Sequence, residues 1–423
     1  SKLRLIIVDE EHENSFKQFD PAPRYHARDM AVVLGLQNEA KVLLGSATPS
    51  YESYNNAKTG KYGYVGLFKR HSEMELPELQ IADLKKAYKK KQMHSVLTPE
   101  LYTVTEEALE KKEQVILFQN RRGYSPFVQC FNCGWIPKCQ NCDVSLTYHK
   151  YKKRLNCHYC GFSKPLPNAC DECASPEIKT RGFGTEKIED ELKPLFRNAR
   201  IARMDWDSTR SKYAFEKIIH NLESQKTDIL VGTQMVTKGL DFDHVRVVGI
   251  LNADNLINFP DFRAHERAYQ LISQVAGRAG RKHSRGKVII QTGQPDHPLM
   301  QFIQNQNYTA TYNFLMEERK LFRYPPFYRL IKLIVKHKNT ETVNRVANQL
   351  AGKLRKHSGL MVLGPEFPLV SRIQLWYHKE IWLKFSRRSN TADIKSYVKQ
   401  GITEVKQLPD NSNCMVNIDV DPA

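Results

Sequence analysis

The sequence predicts an α/β chain in four stretches: part of a parallel-sheet lobe over residues 1–70, a linker over 71–97, a complete second lobe over 98–323, and an α+β domain over 324–423. Three observations predict it. Short, wholly apolar runs alternate with stretches of helical period, the pattern of parallel strands buried on both faces. Eight of the nine cysteines fall between Cys130 and Cys173, in an insert at 126–180 that interrupts this alternation. Beyond Pro325-Pro326, which end the preceding helix, the expected order is strand, helix, strand, strand, helix, strand.

The first element is Leu5-Ile6-Ile7-Val8, a buried-strand run ending in Asp9-Glu10-Glu11-His12. So apolar a strand belongs in the middle of a parallel sheet, and the few residues before it lead us to expect an N-terminal truncation. A helix over 26–36 and the strand Lys41-Val42-Leu43-Leu44, ending at Gly45-Ser46-Ala47-Thr48-Pro49, complete a strand-helix-strand unit. Residues 71–97 carry Lys85, Lys86, Lys89, Lys90 and Lys91 with little apolar periodicity and read as a solvated linker. A helix over 99–112 and the strand Val115-Ile116-Leu117-Phe118 open the second unit. After the insert, helices and strands alternate to about Thr292, with Ile229-Leu230-Val231 and residues 245–251 as fully buried strands. The last stretch reads as a strand at 330–335, a helix at 340–356, strands at 374–378 and 380–385, a helix at 391–407 and a strand at 415–420. That order is a split βαβ, ferredoxin-like domain.

Lys and Arg number 64 against 46 Asp and Glu, a formal charge of +18, and a polyanion is the usual partner of such an excess. No apolar run approaches the roughly 18 residues of a membrane span. The chain therefore reads as cytoplasmic, with no membrane partner. The clustered cysteines are unlike a secreted disulfide framework.

They form four CxxC pairs: Cys130 with Cys133, Cys139 with Cys142, Cys157 with Cys160, and Cys170 with Cys173. Each pair makes one metal knuckle. A four-thiolate tetrahedral site takes two knuckles, so four hold two zinc ions, and with no position left open the zinc is structural. The 14 residues between Cys142 and Cys157 approach zinc-ribbon spacing, which favours one ion on Cys139, Cys142, Cys157 and Cys160 and the other on Cys130, Cys133, Cys170 and Cys173. Sequential and crossed pairings stay open on spacing alone.

Asp9-Glu10-Glu11-His12 stands where a nucleotide-hydrolysing motor places its Walker B carboxylate, at the carboxyl edge of a sheet. Asp9 would hold Mg²⁺ and Glu10 would polarise the attacking water. By itself the segment is equally the solvated acidic end of a strand. It is followed in order by Gly45-Ser46-Ala47-Thr48-Pro49, by Gly232-Thr233-Gln234 with Lys238-Gly239, and by Gln274-Val275-Ala276-Gly277-Arg278-Ala279-Gly280-Arg281. Together the four segments resemble motifs II, III, V and VI of superfamily 2 helicases, which carry ATP between two RecA-like lobes. The resemblance implies a partial first RecA-like lobe and a complete second one. It also implies that His12, Ser46 and Thr48 couple hydrolysis to movement, and that Gly232, Gln274, Arg278 and Arg281 face the nucleotide, with Arg281 as the arginine finger. A guanidinium fork suits that task because it neutralises charge spreading over the γ-phosphate oxygens. No G-x-x-x-x-G-K-[ST] phosphate loop occurs, so these residues alone are expected not to hydrolyse ATP.

The cysteine insert lies between Asn120-Arg121-Arg122-Gly123-Tyr124 and Arg181-Gly182-Phe183-Gly184-Thr185-Glu186. With residues 24–29, Asp261-Phe262-Arg263, Pro325-Pro326-Phe327 and Asp419-Val420-Asp421-Pro422, it resembles the PriA family of primosomal replication-restart DNA helicases over essentially the whole chain. The resemblance implies a monomeric 3′-to-5′ DNA helicase that recognises stalled forks and promotes primosome assembly and replicative-helicase loading. Its partners would be forked and single-stranded DNA, other primosome proteins and single-stranded DNA-binding protein. It implies the nested cysteine pairing, and it implies N-terminal DNA-binding domains that these residues lack. Phe16, Phe19, Tyr25 and His26 among Lys17, Arg24 and Arg28 resemble the family's aromatic-rich loop, a mix able to stack bases and neutralise phosphates. Trp376, beside Arg372 and Trp382, is either a DNA contact or core packing. Two other readings compete: a zinc-dependent fork-binding and partner-loading module that does not need ATPase, and an RNA helicase or a translocase.

Overall fold

The computed structural model describes residues 3–67, 75–120, 127–149, 154–157, 159–181, 184–205, 208–209, 211–237, 242–280 and 285–422. They form two compact units, one of residues 1–64, 127–180 and 316–423, the other of 65–126 and 181–315.

The second unit is a RecA-like lobe around a parallel six-stranded sheet. Its strands lie side by side as Ile201–Met204, Ile229–Gly232, Gln114–Phe118, Val245–Ile250, Lys287–Thr292 and Glu78–Asp83. Alternate residues of the central strands serve the two faces. Val115, Leu117, Ile229 and Val231 pack with Leu101, Ile188 and Leu192 from the helices Pro99–Glu110 and Thr185–Leu195. Ile116, Phe118, Leu230 and Ile250 pack with Leu222, Ile272 and Leu299 from the helices Lys212–Glu223, Ala264–Ala276 and Pro298–Gln304. Burial on both faces is why these runs are solidly apolar.

The expected linker is partly structural. Glu78–Asp83 pairs residue for residue with Lys287–Thr292, and Leu84–Lys89 is a helix whose N-terminus is capped by Asp83 Oδ1, which accepts from Lys86 N at 3.0 Å. The strand buries Leu79 and Ala82 while its other residues are exposed or half-buried, so it carries only a faint alternation. The following lysines hide that pattern. Residues 71–74 of this stretch lie outside the described residues.

In the first unit, Leu5–Val8 runs parallel to Lys41–Leu44 across the helix Ala27–Gln37. Gly35 permits that packing, since a Cβ there would stand 2.4 Å from Val42 Cγ2. Burial is less than the apolar run predicts. Among the described residues, Leu5, Ile7 and Leu43 are each more than half exposed.

The C-terminal domain is ferredoxin-like. Its antiparallel sheet runs Met361–Glu366, Trp376–Ser386, Tyr328–His337, Met415–Val420, and the helices Thr340–Leu354 and Thr391–Gln407 bury Ile331, Leu333, Ile381, Leu383 and Phe385. The two strands expected at 374–378 and 380–385 are one strand, paired without interruption from Tyr377 to Ser386 against Tyr328–His337. The fold's second strand is Met361–Glu366, which Gly364-Pro365 disguise as a loop.

The cysteine insert builds two small sheets, Phe127–Cys130 with Ile178–Arg181, and Thr147–His149 with Arg154–Asn156 and Ser163–Pro165. It belongs to the same compact unit as the C-terminal domain and not to the lobe whose sequence it interrupts.

Candidate metal centres and motor residues

The four CxxC turns share one closure. The N–H of the first cysteine donates to the carbonyl five residues on: Cys130 to Trp135, Cys139 to Val144, Cys157 to Phe162 and Cys170 to Ser175, at 2.7 to 2.9 Å. In three of them the residue four places on donates back to the first cysteine's carbonyl, namely Gly134, Gly161 and Ala174, each with positive φ. The turn is local, so CxxC spacing alone predicts it.

Which knuckles share an ion is decided by the fold. The sulfurs of Cys130, Cys133, Cys170 and Cys173 lie within 4.8 Å of one another, and so do those of Cys139, Cys142, Cys157 and Cys160, the nested arrangement. The Sγ separations are 3.6 Å for Cys130 with Cys173, 3.6 Å for Cys133 with Cys170 and 3.5 Å for Cys139 with Cys160. A disulfide needs about 2.0 Å. Zinc–sulfur bonds of about 2.3 Å in a tetrahedron set sulfurs about 3.8 Å apart. Both groups therefore fit zinc, and with four sulfurs each neither leaves a position for a reacting water.

Backbone donors tune the thiols. The N–H of Cys133 draws the Cys130 thiol down to about 6, while burial pushes Cys142 up to about 12 against an N–H from Gln374. A cation that binds all four sulfurs as thiolates must displace such protons.

In the first unit, Asp9 follows its strand directly and its Oδ1 accepts from Glu10 N at 2.9 Å. Glu10 turns with φ +48, and Gly45 N donates to Val8 O at 2.9 Å, holding the segment from Gly45 to Pro49 beside that from Asp9 to His12. His12 Nδ1 meets Ser46 Oγ at 2.7 Å, and the same oxygen accepts from Thr48 N at 3.0 Å. His12 also stands 3.5 Å from Glu10 Oε2. Asp9, Glu10, His12, Ser46 and Thr48 thus form one connected cluster at the carboxyl edge of the strands.

Glu11, to which the sequence reading assigned no role, is the buried hub beneath that cluster. Its carboxylate accepts from Ser50 N, from Ser50 Oγ at 3.0 Å, from Ser53 Oγ at 2.8 Å and from Arg28 Nη1 at 3.1 Å. It thereby anchors the N-terminus of the helix Tyr51–Lys58, where a negative charge is favoured. The Ser50-x-x-Ser53 spacing after motif III is the one signal that could have found it. Arg28, expected to touch DNA, is instead committed to Glu11, Ser50 and Asp29. Burial opposes its charge, but Asp29 and Glu11 more than offset that and raise its pKa above the ordinary range. Replacing Glu11 by Ala leaves Arg28 with Asp29 and Ser50 and takes away the acceptor of Ser50 N and Ser53 Oγ, and a loss of about 1–3 kcal/mol is expected in thermal or denaturant unfolding. A midpoint unchanged within error would refute the hub.

Lys17 was expected to meet phosphate. It is buried, with Nζ 2.8 Å from Asp419 Oδ1 and donating to Val420 O at 3.0 Å, so it fastens the aromatic loop to the C-terminal strand. Phe19 and Tyr25 are exposed, and Phe16 is half-buried with its ring 6.5 Å from that of His26. Trp376 is half-buried beneath Lys338, whose Nζ is 5.7 Å from its ring centre. Arg372 faces the zinc module, donating to Gln140 O at 3.4 Å.

In the second unit Gly232 ends its strand, and a Cβ there would lie 2.1 Å from Val236 Cγ1, so close packing against the turn Gln234–Thr237 already requires glycine. Gln274 lies on the helix Ala264–Ala276, and Arg278 follows it. Gly280, at φ +70, returns the chain to the sheet by donating to Val245 O at 2.9 Å. Arg281, Lys238, Gly239, residues 121–124, Gly182 and Phe183 lie outside the described residues.

Comparison with known proteins follows the same division. Residues 139–165 match the PriA DNA helicase Cys-rich region domain, 183–283 the helicase conserved C-terminal domain, and 320–423 the primosomal protein N C-terminal domain. Replication restart protein PriA of Bacillus subtilis (strain 168) is 39% identical over 422 residues, covering 99% of this chain and 52% of that protein. The Haemophilus influenzae protein of the same name is 38% identical over 427 residues, covering 100% and 57%. That of Rickettsia conorii is 35% identical over 421 residues, covering 99% and 63%. The chain thus spans between about half and three-fifths of the length of these curated relatives.

Proposed function

Since the chain belongs to the PriA family of replication restart proteins, we propose that it contributes motor, zinc and C-terminal elements to an ATP-dependent 3′-to-5′ DNA helicase. Its work would be to recognise stalled forks and to promote primosome assembly and loading of the replicative helicase. One observation supports the motor reading: the His12–Ser46 bond joins the segment of Asp9 and Glu10 to that of Thr48, so a change at the first would be passed to the second. Asp9 would hold Mg²⁺, Glu10 would polarise the attacking water, and Gly232, Gln274, Arg278 and Arg281 would line the nucleotide from the second lobe. Bound ATP would supply the γ-phosphoryl group for transfer to water there. The 423 residues contain no phosphate loop, so hydrolysis is proposed for a polypeptide that supplies one together with them.

The +18 charge suits forked and single-stranded DNA, and the exposed rings of Phe19 and Tyr25 suit base stacking. Other primosome proteins and single-stranded DNA-binding protein are the proposed protein partners, and a cytoplasmic monomer the working form. Among the described residues no helix is long and apolar enough to cross a membrane. A second reading, a fork-binding and partner-loading module that needs no ATPase, draws on the shared compact unit of zinc insert and C-terminal domain. Asp9→Asn in the whole enzyme separates the two, since it should abolish ATPase under both and primosome assembly only under the first.

The loop of Phe16 and Phe19 is proposed to couple bound single-stranded DNA to ATP hydrolysis, and Phe19→Ala, with Phe16→Ala beside it, tests this in the whole enzyme. Stacking contributes about 1–3 kcal/mol per base, so the DNA concentration for half-maximal ATPase stimulation should rise about tenfold or more. Stimulation indistinguishable from the unaltered enzyme would remove the loop from the DNA path.

A further inference from the structure

One of the four cysteine knuckles is unlike the others. At Cys130, Cys157 and Cys170, the residue four places on donates its N–H to the first cysteine's own carbonyl. At Cys139 the corresponding residue is Asp143, whose N–H goes instead to Arg372 O at 2.9 Å, in the C-terminal domain. The second sulfur shows the same exchange. Cys133 and Cys160 receive backbone N–H groups from Trp135 and Phe162 of their own knuckles, whereas Cys142 Sγ accepts from Gln374 N at 3.3 Å, 232 residues away. Leu375 N donates to Asn141 O at 2.8 Å, Ser371 Oγ donates to Asp143 Oδ2, and Gln374 Nε2 reaches Tyr159 O at 3.5 Å. Ile373 packs on the apolar cluster of Val128, Leu146 and Leu155 inside the zinc module.

Two successive non-glycine residues, Gln374 and Leu375, take left-handed backbone angles of φ +50 and +68 to present those N–H groups. The pairing of Arg372 with Tyr377 and of Ile373 with Trp376 makes them a two-residue hairpin loop, which takes positive φ at both positions. The loop so formed turns both N–H groups onto the zinc knuckle.

We propose that the hairpin tip Ser371–Leu375 of the C-terminal domain completes the outer coordination shell of the zinc on Cys139, Cys142, Cys157 and Cys160. Occupancy of that ion and docking of the C-terminal domain on the zinc module are then one linked equilibrium, while the ion on Cys130, Cys133, Cys170 and Cys173 is independent of it. This rests on the zinc reading of the two cysteine groups. N–H donors to a metal-bound thiolate stabilise its negative charge, and outer-shell partners of metal ligands commonly set affinity by 10–100-fold. Linkage makes the effect reciprocal: whatever docking adds to metal affinity, the metal adds to docking.

The test uses the whole zinc-loaded chain. Zinc content is measured first, and its release to a chromophoric chelator is then followed for the unaltered chain and for Gln374→Pro, whose fixed negative φ removes both the N–H and the left-handed turn that presents it, undocking the tip. One zinc equivalent should leave about tenfold faster or more and the other at its original rate. The reciprocal arm needs no change in the hairpin: Cys142→Ser should raise amide exchange of residues 371–376 about tenfold or more, while Cys133→Ser should leave it unchanged. Less than two zinc ions per unaltered chain would overturn the zinc reading itself. Two ions released from Gln374→Pro as from the unaltered chain, or both accelerated alike, or equal exchange in the two cysteine variants, would overturn the linkage alone.

Discussion

Removal of both zinc ions by a strong chelator should unfold residues 127–180 and leave the six-stranded lobe intact. Within its own residues the insert has little else to hold it. Its strands are three or four residues long, and its core comprises Val128, Leu146 and Leu155 packed with Cys139, Cys142 and Cys157, which are themselves ligands. Metal binding at structural zinc sites contributes on the order of 10 kcal/mol or more, far beyond what a cluster of that size supplies. The lobe's core contains none of these residues. Hydrogen exchange mass spectrometry after chelation should therefore show loss of protection confined to the insert and the hairpin tip that docks on it, with Gln114–Phe118 and Val245–Ile250 unchanged. Because the two groups share no cysteine, Cys133→Ser should cost one equivalent of zinc and not both. An insert that keeps its protection without metal would overturn the structural role.

The second large effect is expected at motif VI. In the whole enzyme, Arg278→Ala together with Arg281→Ala should lower ATP turnover by about 10³–10⁵-fold, the contribution of a guanidinium that neutralises the transferring phosphoryl group. Stability should change little. The helix before Arg278 is held by Ala268, Ile272 and Val275 in the core of the lobe, and its end by the Gly280–Val245 bond. Fluorescent nucleotide binding should survive better than turnover, since the interaction is strongest in the transition state. Turnover within tenfold of the unaltered enzyme would remove motif VI from catalysis.

Much of this was legible in the sequence, for reasons that differ by element. Solid apolar runs such as Val115–Phe118 mark strands buried on both faces, and only a parallel sheet covered by helices buries them so. CxxC turns close over five residues, so the knuckles follow from spacing. The edge strand Glu78–Asp83 was hidden because an edge buries few side chains and lysines follow it. The strand Trp376–Ser386 resembles two in sequence because its first half buries little, while its uninterrupted pairing with Tyr328–His337 makes it one element.

Local sequence by itself determined the strands buried on both faces, the four knuckles and the motifs, because each depends on neighbours a few residues apart. Tertiary structure alone decided what the charges and sulfurs do there. Lys17 and Arg28 read as phosphate contacts, yet each is withdrawn into a pair, with Asp419 and with Glu11. The zinc insert interrupts one lobe in sequence and packs with another domain in space. Charge and spacing record what a residue can bind, while burial and long-range pairing select the partner, and both are fixed only when distant segments meet.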